Sequence, residues 1–343
     1  MVDLSKYTKE LSKHLNAADN ILLVCHVNPD GDAIGSQLAL YHYLMNAGKK
    51  VEMISPNYLQ EFLKWMDGVK NINIYINDRK LCRKLIENAD LIIMLDFNQT
   101  SRLGEAEKYF MASKATKVVI DHHLNSKSFA DLLISDTSKC STSELVHEII
   151  IHLNHGPYLE KSYNEAVYVG IVTDTGNFEH GSYTGNTFRI IADLLNDGLD
   201  KNKIFNHIFS NFSVDRMRLQ GYALSEKMIV LPEYGTAYIM LTREDLARFN
   251  YKKGDTEGFV NMPLSISGIF FSALFIEKDG FIKLSFRSKG DFSVSDFAER
   301  HFKGGGHFNA AGGDHYDSLE NTLQYFLDVL KKEGALIRNE IKL

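Results

Sequence analysis

Four short apolar runs early in the chain constrain its fold most strongly. They consist mainly of Leu, Ile, Val and Met, and the segments between them carry apolar residues at helical spacing. The runs are ILLVCH (21–26), KVEMIS (50–55), LIIMLD (91–96) and KVVIDHH (117–123). Continuous apolar strands that alternate with helices are typical of a parallel sheet covered by helices on both faces. We therefore predict an N-terminal α/β domain of this kind.

The sequence changes character after Gly198. The stretch 213–227 predicts a polar connecting helix, and the runs GTAYIMLT, SGIFFSALFIE and GFIKLSFRS beyond it have strand character with turn residues between them. A helix is predicted over LENTLQYFLDVLKKEG near the end of the chain. We predict a first domain at 1–210, a linker helix at 211–227, and a smaller α+β domain with a mixed sheet at 228–343.

Composition restricts the partners and the compartment. The net charge is −6 and no basic stripe is present, so long single-stranded or duplex nucleic acid is not the expected ligand; a phosphorylated substrate should be small. The segment MVDLSKYTKE has no apolar signal core, and no window approaches 18 apolar residues. The 3 cysteines show no CxxC pairing. These features predict a cytoplasmic protein without a membrane segment.

Acidic residues and histidines stand where several predicted elements end. They are His26, Asp30 and Asp32 after the first run, Asp96 at the end of the third, Asp121, His122 and His123 at the end of the fourth, and Asp174 in GIVTDTGNF. Functional groups of open α/β sheets gather beyond the carboxyl ends of strands, so these side chains should converge. Carboxylates with imidazole and no thiolate suit Mn²⁺ or Mg²⁺. Four aspartates and two histidines would serve two adjacent ions if one aspartate bridges them.

Each motif also has a simpler interpretation. The Asp-Gly-Asp sequence could be only a turn, and an aspartate that ends a strand could only cap the next helix. An EF-hand loop is excluded because Ala33 and Ala39 replace the glycine and glutamate that it requires. The combination of ligand-type residues at four separate element ends favours a metal centre over these alternatives.

The motifs resemble those of a known superfamily. HVNPDGDAIGS, LIIMLD, IDHH and GIVTDTGNF are similar to the four motifs of the DHH phosphoesterases, in the same order, and GGGHFNAAGG with SFRSKG before it resembles the DHHA1 domain. The two regions cover nearly all of the chain, and its length resembles that of the stand-alone NrnA-type members. The resemblance implies a DHH domain, a linker helix and a DHHA1 domain that face each other across a cleft.

The resemblance also implies roles for individual residues. One Mn²⁺ would be held by His26, Asp30 and Asp96, and the other by Asp32, Asp96, His122 and Asp174, with Asp96 bridging. Asp121 would orient a ligand, and His123 would contact the scissile phosphate and help the leaving oxygen depart. The implied cofactors are two Mn²⁺, with Mg²⁺ or Co²⁺ as alternatives.

A second set of residues is expected to bind the substrate. Four ionised aspartates would balance two dications, so cationic or hydrogen-bonding groups must come from elsewhere. Gly304, Gly305 and Gly306 would turn backbone N–H groups towards an anion, with Ala310–Ala311 opening a helix behind them and His307 beside them. Arg287 with Ser288 in SFRS, and Arg102 in DFNQTSRLG, are further candidates. Glycine-rich turns and surface arginines without any such role are common. The DHHA1 resemblance supports binding by Arg287 and the GGGH segment.

The implied activity is hydrolysis of short phosphorylated nucleotides, in which a hydroxide held between the metals attacks phosphorus in line. Expected substrates are di- to pentanucleotides, linear dinucleotides such as pApA or pGpG, and 3′-phosphoadenosine 5′-phosphate (PAP). Three alternatives stay open: an inorganic pyrophosphatase or exopolyphosphatase, a non-catalytic sensor of cyclic dinucleotides, and an exonuclease for long single strands. A homodimer and a monomer are both compatible with the sequence.

Overall fold

The computed structural model describes residues 4–123, 129–153, 160–179 and 182–340, except for the side chains of His307 and residues 335–340. The chain divides into two compact units, Met1–Asn211 and Phe212–Leu343. Within the described ranges, no helix combines the length and the apolar character that a bilayer crossing requires.

The first unit is built on a six-stranded sheet in the order β3-β2-β1-β4-β5-β6. All of its neighbouring strands pair in parallel. The strands are β1 (Asn20–Val24), β2 (Lys50–Ser55), β3 (Ile72–Ile74), β4 (Leu91–Leu95), β5 (Thr116–Asp121) and β6 (Leu132–Ser135). The order reverses between β1 and β4, and the carboxyl ends of neighbouring strands at such a point open towards one site.

Eight helices accompany this sheet in the described part of the first unit. They are α1 (Leu4–Ala17), α2 (Gly31–Asn46), α3 (Arg79–Asn88), α4 (Glu107–Ala112), α5 (Thr142–His152), α6 (Lys161–Asp174), α7 (Gly185–Asn196) and α8 (Lys201–Phe209). Alternate strand residues enter two different apolar clusters. Leu23 and Ile93 pack among residues of α1, α2, α5 and α6, whereas Leu22 and Ile92 pack among residues of α3 and α4. The predicted parallel sheet between two helical layers is therefore confirmed.

The second unit contains a mixed sheet in the order β11-β12-β10-β9-β8-β7. Its strands are β7 (Met228–Leu231), β8 (Thr236–Leu241), β9 (Phe271–Glu277), β10 (Ile282–Ser288), β11 (Gly305–His307) and β12 (Ala310–His315). Only the β8–β9 pair is parallel among these described strands. Its helices are α9 (Val214–Ser225), α10 (Arg243–Arg248), α11 (Val294–Phe302) and α12 (Leu319–Glu340). The predicted mixed sheet is confirmed.

One local expectation is wrong. Ala310 and Ala311 do not open a helix; they begin β12 and pair with Arg287 and Phe286 of β10. The sequence AAGGDH has no strand propensity of its own, because Ala and Gly are poor strand formers. The pairing with β10 determines its conformation, and no sequence pattern reports that pairing.

Candidate metal centre

The loop from β1 to α2 uses one aspartate in two ways. Asp30 is the N-cap of α2, where its Oδ1 accepts hydrogen bonds from the backbone N–H groups of Asp32 at 3.1 Å and Ala33 at 3.0 Å. Its other oxygen, Oδ2, lies 3.8 Å from Nε2 of His26. Asp30 therefore caps α2 through one carboxylate oxygen, and its other oxygen still faces the predicted centre.

Asp96 lies at the centre of the group. Its Oδ2 is 3.5 Å from Nε2 of His26, and its Oδ1 is 3.8 Å from Nε2 of His122. The side chain is only 2% exposed. Its backbone has φ of +67°, a left-handed conformation that non-glycine residues adopt rarely and at a cost. The two oxygens of one buried carboxylate thus face two different histidines.

The remaining predicted ligands complete two groups around Asp96. His122 Nε2 lies 3.3 Å from Oδ2 of Asp174 and 3.9 Å from Oδ2 of Asp32. The ligand atoms of His26, Asp30 and Asp96 lie within 4.8 Å of one another, as do those of Asp32, His122 and Asp174. Each group could hold a metal ion, and the structure brings together all six predicted metal-site residues.

Hydrogen bonds prepare both histidines for coordination. Nδ1 of His26 donates to the carbonyl of Val27 at 2.8 Å, and Nδ1 of His122 donates to the carbonyl of Lys139 at 3.2 Å. This tautomer leaves the Nε2 lone pair of each ring for a metal. Burial lowers the pKa of His26, and the positive charge of Arg102 acts in the same direction, so its ring is held in the neutral form that a ligand requires.

The carboxylates repel one another in the absence of a cation. The pKa of Asp96 is raised well above its usual value by burial and by the charges of Asp32, Asp30, Asp174 and Asp121. Burial, followed by the charges of Asp32 and Asp30, raises the pKa of Asp174 to about 8 although His122 opposes the shift. Burial alone lowers the pKa of His122, but Asp174 and Asp32 outweigh it and the net shift is upward. Divalent cations would relieve this repulsion, so the donor set fits metal binding.

Asp121 and His123 form a hydrogen-bonded pair beside Asp96 and His122. Nδ1 of His123 lies 2.7 Å from Oδ1 of Asp121 and 3.6 Å from Oδ1 of Asp96. Asp121 accepts from His123, and Nδ1 of His122 donates to the Lys139 carbonyl. The buried carboxylate therefore fixes the ring of the histidine that is predicted to contact the phosphate. The role of Asp121 in orienting a metal ligand stays a prediction.

Sequence reasoning missed the residues that hold Asp32 and Asp96 in place. Both carboxylate oxygens of Asp32 accept backbone hydrogen bonds at the start of α5, from Thr142 N–H at 2.6 Å and Ser143 N–H at 2.8 Å. The Thr142 hydroxyl donates to Oδ1 of Asp96 at 2.8 Å. The sequence STSE is typical of a helix start, and Ser141 is indeed the N-cap of α5. The sequence does not indicate that this helix start points towards Asp32 and Asp96, because that direction depends on tertiary packing.

Removing the Thr142 hydroxyl should weaken metal binding. Thr142→Val keeps the shape of this fully buried side chain but leaves Oδ1 of Asp96 without its donor. We expect the affinity for Mn²⁺, measured by isothermal titration calorimetry, to fall about 10- to 100-fold. Thr142→Ser retains the hydroxyl and should recover most of the affinity. Equal affinities for Thr142→Val and the unmodified chain would show that the hydroxyl has no such role.

Gly170 allows α6 to pack against the same helix start. A Cβ atom there would lie 2.4 Å from Cβ of Ser143 and 2.7 Å from Oδ1 of Asp32. We expect Gly170→Ala to destabilise the metal-free protein by about 1–3 kcal/mol through overpacking, as measured by urea unfolding. Gly221→Ala is the matched control, because Gly221 of α9 has open space around its Cβ position and should tolerate alanine. An unchanged stability for Gly170→Ala would contradict this packing.

Arg102 lies beside the metal centre, as its position after β4 suggested. Its Nη2 is 3.2 Å from Nδ1 of His26, and its carbonyl accepts a hydrogen bond from Val27 N–H at 2.8 Å. In the second unit, Arg287 lies on β10 and donates through Nη1 to the Phe286 carbonyl at 2.9 Å. Its buried Nε has no hydrogen-bond partner among the residues whose side chains the structure describes. The Ser288 hydroxyl donates to the Phe292 carbonyl at 2.7 Å, so this donor already has an intramolecular partner.

The three predicted anion-binding glycines have in part a packing explanation. A Cβ at Gly304 would lie 2.0 Å from the Gly312 carbonyl, and one at Gly306 would lie 2.4 Å from the Ala310 carbonyl. Gly305 has open space at this position. Close pairing with β12 thus requires glycine at two of the positions. The side chain of His307 lies outside the described residues.

Two family models match the chain. The DHH family, N-terminal domain, matches residues 20–171, and the DHHA1 domain matches residues 234–333. The first match includes five of the six candidate metal-site residues and ends just before the sixth, Asp174. The second includes Arg287 and the three glycines.

The chain is also similar to curated proteins and solved structures over most of its length. The bifunctional oligoribonuclease and PAP phosphatase NrnA of Bacillus subtilis is 30% identical over 90% of this chain and 93% of the relative. The crystal structure of an exopolyphosphatase-related protein from Bacteroides fragilis is 40% identical with a TM-score of 0.95, and the match covers 98% of this chain and 100% of that one. Exonuclease RecJ bound to manganese has a TM-score of 0.56 at 14% identity over 98% of this chain and 95% of RecJ, which shows a shared fold.

Proposed function

This chain belongs to the DHH family, among the members with a DHHA1 domain, and from that premise we propose that it is a phosphoesterase that requires divalent metals. Its proposed substrates are short oligoribonucleotides, linear dinucleotides and PAP. The observation that carries the proposal is the position of Asp96, whose Oδ2 and Oδ1 lie 3.5 Å and 3.8 Å from the Nε2 atoms of His26 and His122. A bridging carboxylate between two ions needs such an arrangement.

We assign the two ions to the two groups around Asp96. His26, Asp30 and Asp96 would hold one, and Asp32, Asp96, His122 and Asp174 the other. Oxygen and imidazole donors favour Mn²⁺, and Mg²⁺ and Co²⁺ are alternatives. RecJ, which shares the fold, is a manganese-bound exonuclease. When bound, such ions polarise phosphoryl oxygens and lower the pKa of a coordinated water.

Residues of the chain would position the phosphate and move the proton. The hydrogen bond of 2.7 Å to Asp121 fixes the ring of His123, which suits this histidine for contact with the scissile phosphate and for protonation of the leaving oxygen. The charges of four aspartates and two dications would cancel, so the metal centre alone would carry no net positive charge for the phosphate. Arg102 lies at the same centre and supplies a positive charge. In this proposal, Arg287 and the Gly304–Gly306 segment bind the part of the substrate that is not cleaved.

A substrate panel tests this proposal. The full chain with Mn²⁺ should release AMP from pApA and from PAP, and the products can be separated by anion-exchange chromatography. Pyrophosphate and polyphosphate belong in the panel because the similar Bacteroides fragilis structure is that of an exopolyphosphatase-related protein. Phosphate release from these two compounds alone, with no AMP from either nucleotide, would refute the nucleotide assignment.

Arg287→Ala should affect binding rather than chemistry. Because Nε of Arg287 is buried and has no partner within the described part of the chain, the guanidinium retains a donor that a bound anion could satisfy. We expect KM for pApA to rise about tenfold or more with kcat little changed, since a hydrogen bond to a charged group contributes about 1.5–3 kcal/mol. Steady-state kinetics at saturating Mn²⁺ measure both constants. A large loss of kcat at unchanged KM would place Arg287 in the chemical step instead.

A further inference from the structure

Three aromatic side chains form a surface cluster in the first unit. Phe178 contacts Tyr183 and Phe188 with ring centroids 5.8 Å and 5.1 Å away, and Tyr183 and Phe188 are 5.8 Å apart. Phe178 also packs against the main apolar cluster, whereas Tyr183 is 37% and Phe188 is 47% exposed. Mutual packing therefore orients two rings that keep much of their surface in solvent.

Phe178 lies close in sequence to the candidate metal centre. Phe178 follows Asp174 by four residues, so their Cα atoms lie within about 14 Å of each other. The turn between them is left-handed, with φ of +55° at Gly176, +59° at Asn177 and +69° at Phe178. Asn177 N–H donates to the Val172 carbonyl at 2.7 Å, and Phe178 N–H donates to the Thr175 hydroxyl at 3.1 Å. A left-handed backbone is unfavourable for phenylalanine, and such strain is found most often at functional sites.

Phe188 is connected to the same centre through hydrogen bonds between α7 and α5. The Thr187 hydroxyl donates to Glu144 at 2.9 Å, and the Asn186 amide donates to Glu148 at 2.8 Å. Both glutamates belong to α5, whose first residue, Thr142, binds Asp32 and Asp96. The start of α7, which carries Phe188, is therefore fixed to the helix that positions the metal-site aspartates.

We propose that Phe178, Tyr183 and Phe188 form a stacking surface for a nucleobase of the substrate. This inference rests on the proposed function, which places the scissile phosphate of the substrate at the metal centre. The nucleobase of the same nucleotide must then lie within one nucleotide's length of the metal centre. Base stacking on aromatic side chains accepts every base, since every base has a π-face. The surface would favour nucleotides over inorganic phosphates without selecting among the bases.

Two substrates with the same phosphates test the role of the base. PAP and ribose 3,5-bisphosphate differ only in the adenine, so kcat/KM is measured for both with the full chain in Mn²⁺. For Phe188→Ala we expect a loss of about 5- to 150-fold on PAP, the range for removal of one stacking contact, and little change on the base-free compound. Phe188→Trp keeps an aromatic face and should retain activity on PAP. Phe205→Ala is the control, since Phe205 is 38% exposed on α8 and contacts Phe209.

Binding without turnover gives a second measurement. A non-hydrolysable analogue of pApA, with a methylene group in place of the bridging oxygen of the scissile bond and 2-aminopurine in place of adenine, should lose fluorescence when it binds the unmodified chain. Phe188→Ala should remove that quenching. Equal losses of kcat/KM on both substrates would overturn the proposal, because the residue would then only support the fold. Unchanged kinetics with unchanged quenching would also overturn it. A shift from dimer to monomer in Phe188→Ala, with normal quenching, would assign the surface to a second copy of the chain. If the unmodified chain cleaves neither PAP nor pApA, the proposed function is wrong. The fluorescence quenching would then still show whether a base stacks on Phe188.

Discussion

Asp96→Asn should abolish turnover, with kcat/KM for pApA falling by at least about 1,000-fold. The substitution removes the carboxylate whose oxygens lie 3.5 Å from His26 and 3.8 Å from His122, so neither group of ligands stays complete. Metal stabilisation of a phosphoryl-transfer transition state contributes several kcal/mol, and each 1.36 kcal/mol is about tenfold in rate. Steady-state kinetics in Mn²⁺ with a discontinuous AMP assay measure the loss.

Asparagine is the right replacement because it isolates the charge. Asn tolerates the left-handed backbone that Asp96 adopts at φ of +67°, so the fold should be kept. The metal-free variant should unfold at a temperature equal to or above that of the unmodified chain, because burial and the neighbouring aspartates disfavour the ionised form of Asp96, whereas asparagine is never charged. Asp279→Asn is the control, since Asp279 is fully exposed and far from any predicted ligand in sequence. Activity within tenfold of the unmodified chain would refute the bridging role of Asp96.

Metal affinity should rise steeply with pH between about 4 and 8. The pKa of Asp174 is raised from 3.8 to about 8, and the pKa values of Asp96 and His122 are raised as well, so the folded metal-free chain holds protons that the metal must displace. Each displaced proton changes the apparent affinity by about tenfold per pH unit, and two give about 100-fold. The same shifts lower the stability of the metal-free protein as pH rises through this window, since its unfolded chain binds fewer protons.

Calorimetry can count these protons. Mn²⁺ titrations at one pH in buffers of different ionisation enthalpy give the number released per ion, and the thermal stabilisation by Mn²⁺ should be larger at pH 8 than at pH 6. Asp174→Asn should release fewer protons than the unmodified chain. An affinity that does not change from pH 6 to pH 8 would mean that the carboxylates are already ionised in the metal-free protein, contrary to the raised pKa values.

The sequence predicted the parts of the fold that have their own periodicity. The run at 50–55 coincides with β2, the run that ends in Asp96 contains β4, and the runs that end in His26 and His123 each cover all but the first residue of β1 and β5. Strands that depend on neighbours were missed. β3 has three residues, and β12 begins with Ala-Ala-Gly-Gly, so neither carries a strand pattern of its own.

The convergence of the candidate metal-site residues was predictable, because parallel strands end at the same edge of a sheet. The residues that orient them were not. Thr142 and Ser143 lie 110 and 111 residues from Asp32, and only tertiary packing directs the start of α5 at that carboxylate. The pairing of Asp121 with His123 depends on side-chain direction at a strand end, which spacing does not determine.

Anomalous X-ray diffraction at the manganese absorption edge tests the two-metal assignment most directly. Crystals of the full chain grown with Mn²⁺ should give two anomalous peaks. One should lie among His26, Asp30 and Asp96, and the other among Asp32, Asp96, His122 and Asp174. Crystals of Asp96→Asn should lose at least one of them. A single peak that does not contact Asp96, or no peak at this cluster at saturating Mn²⁺, would contradict the two-metal centre.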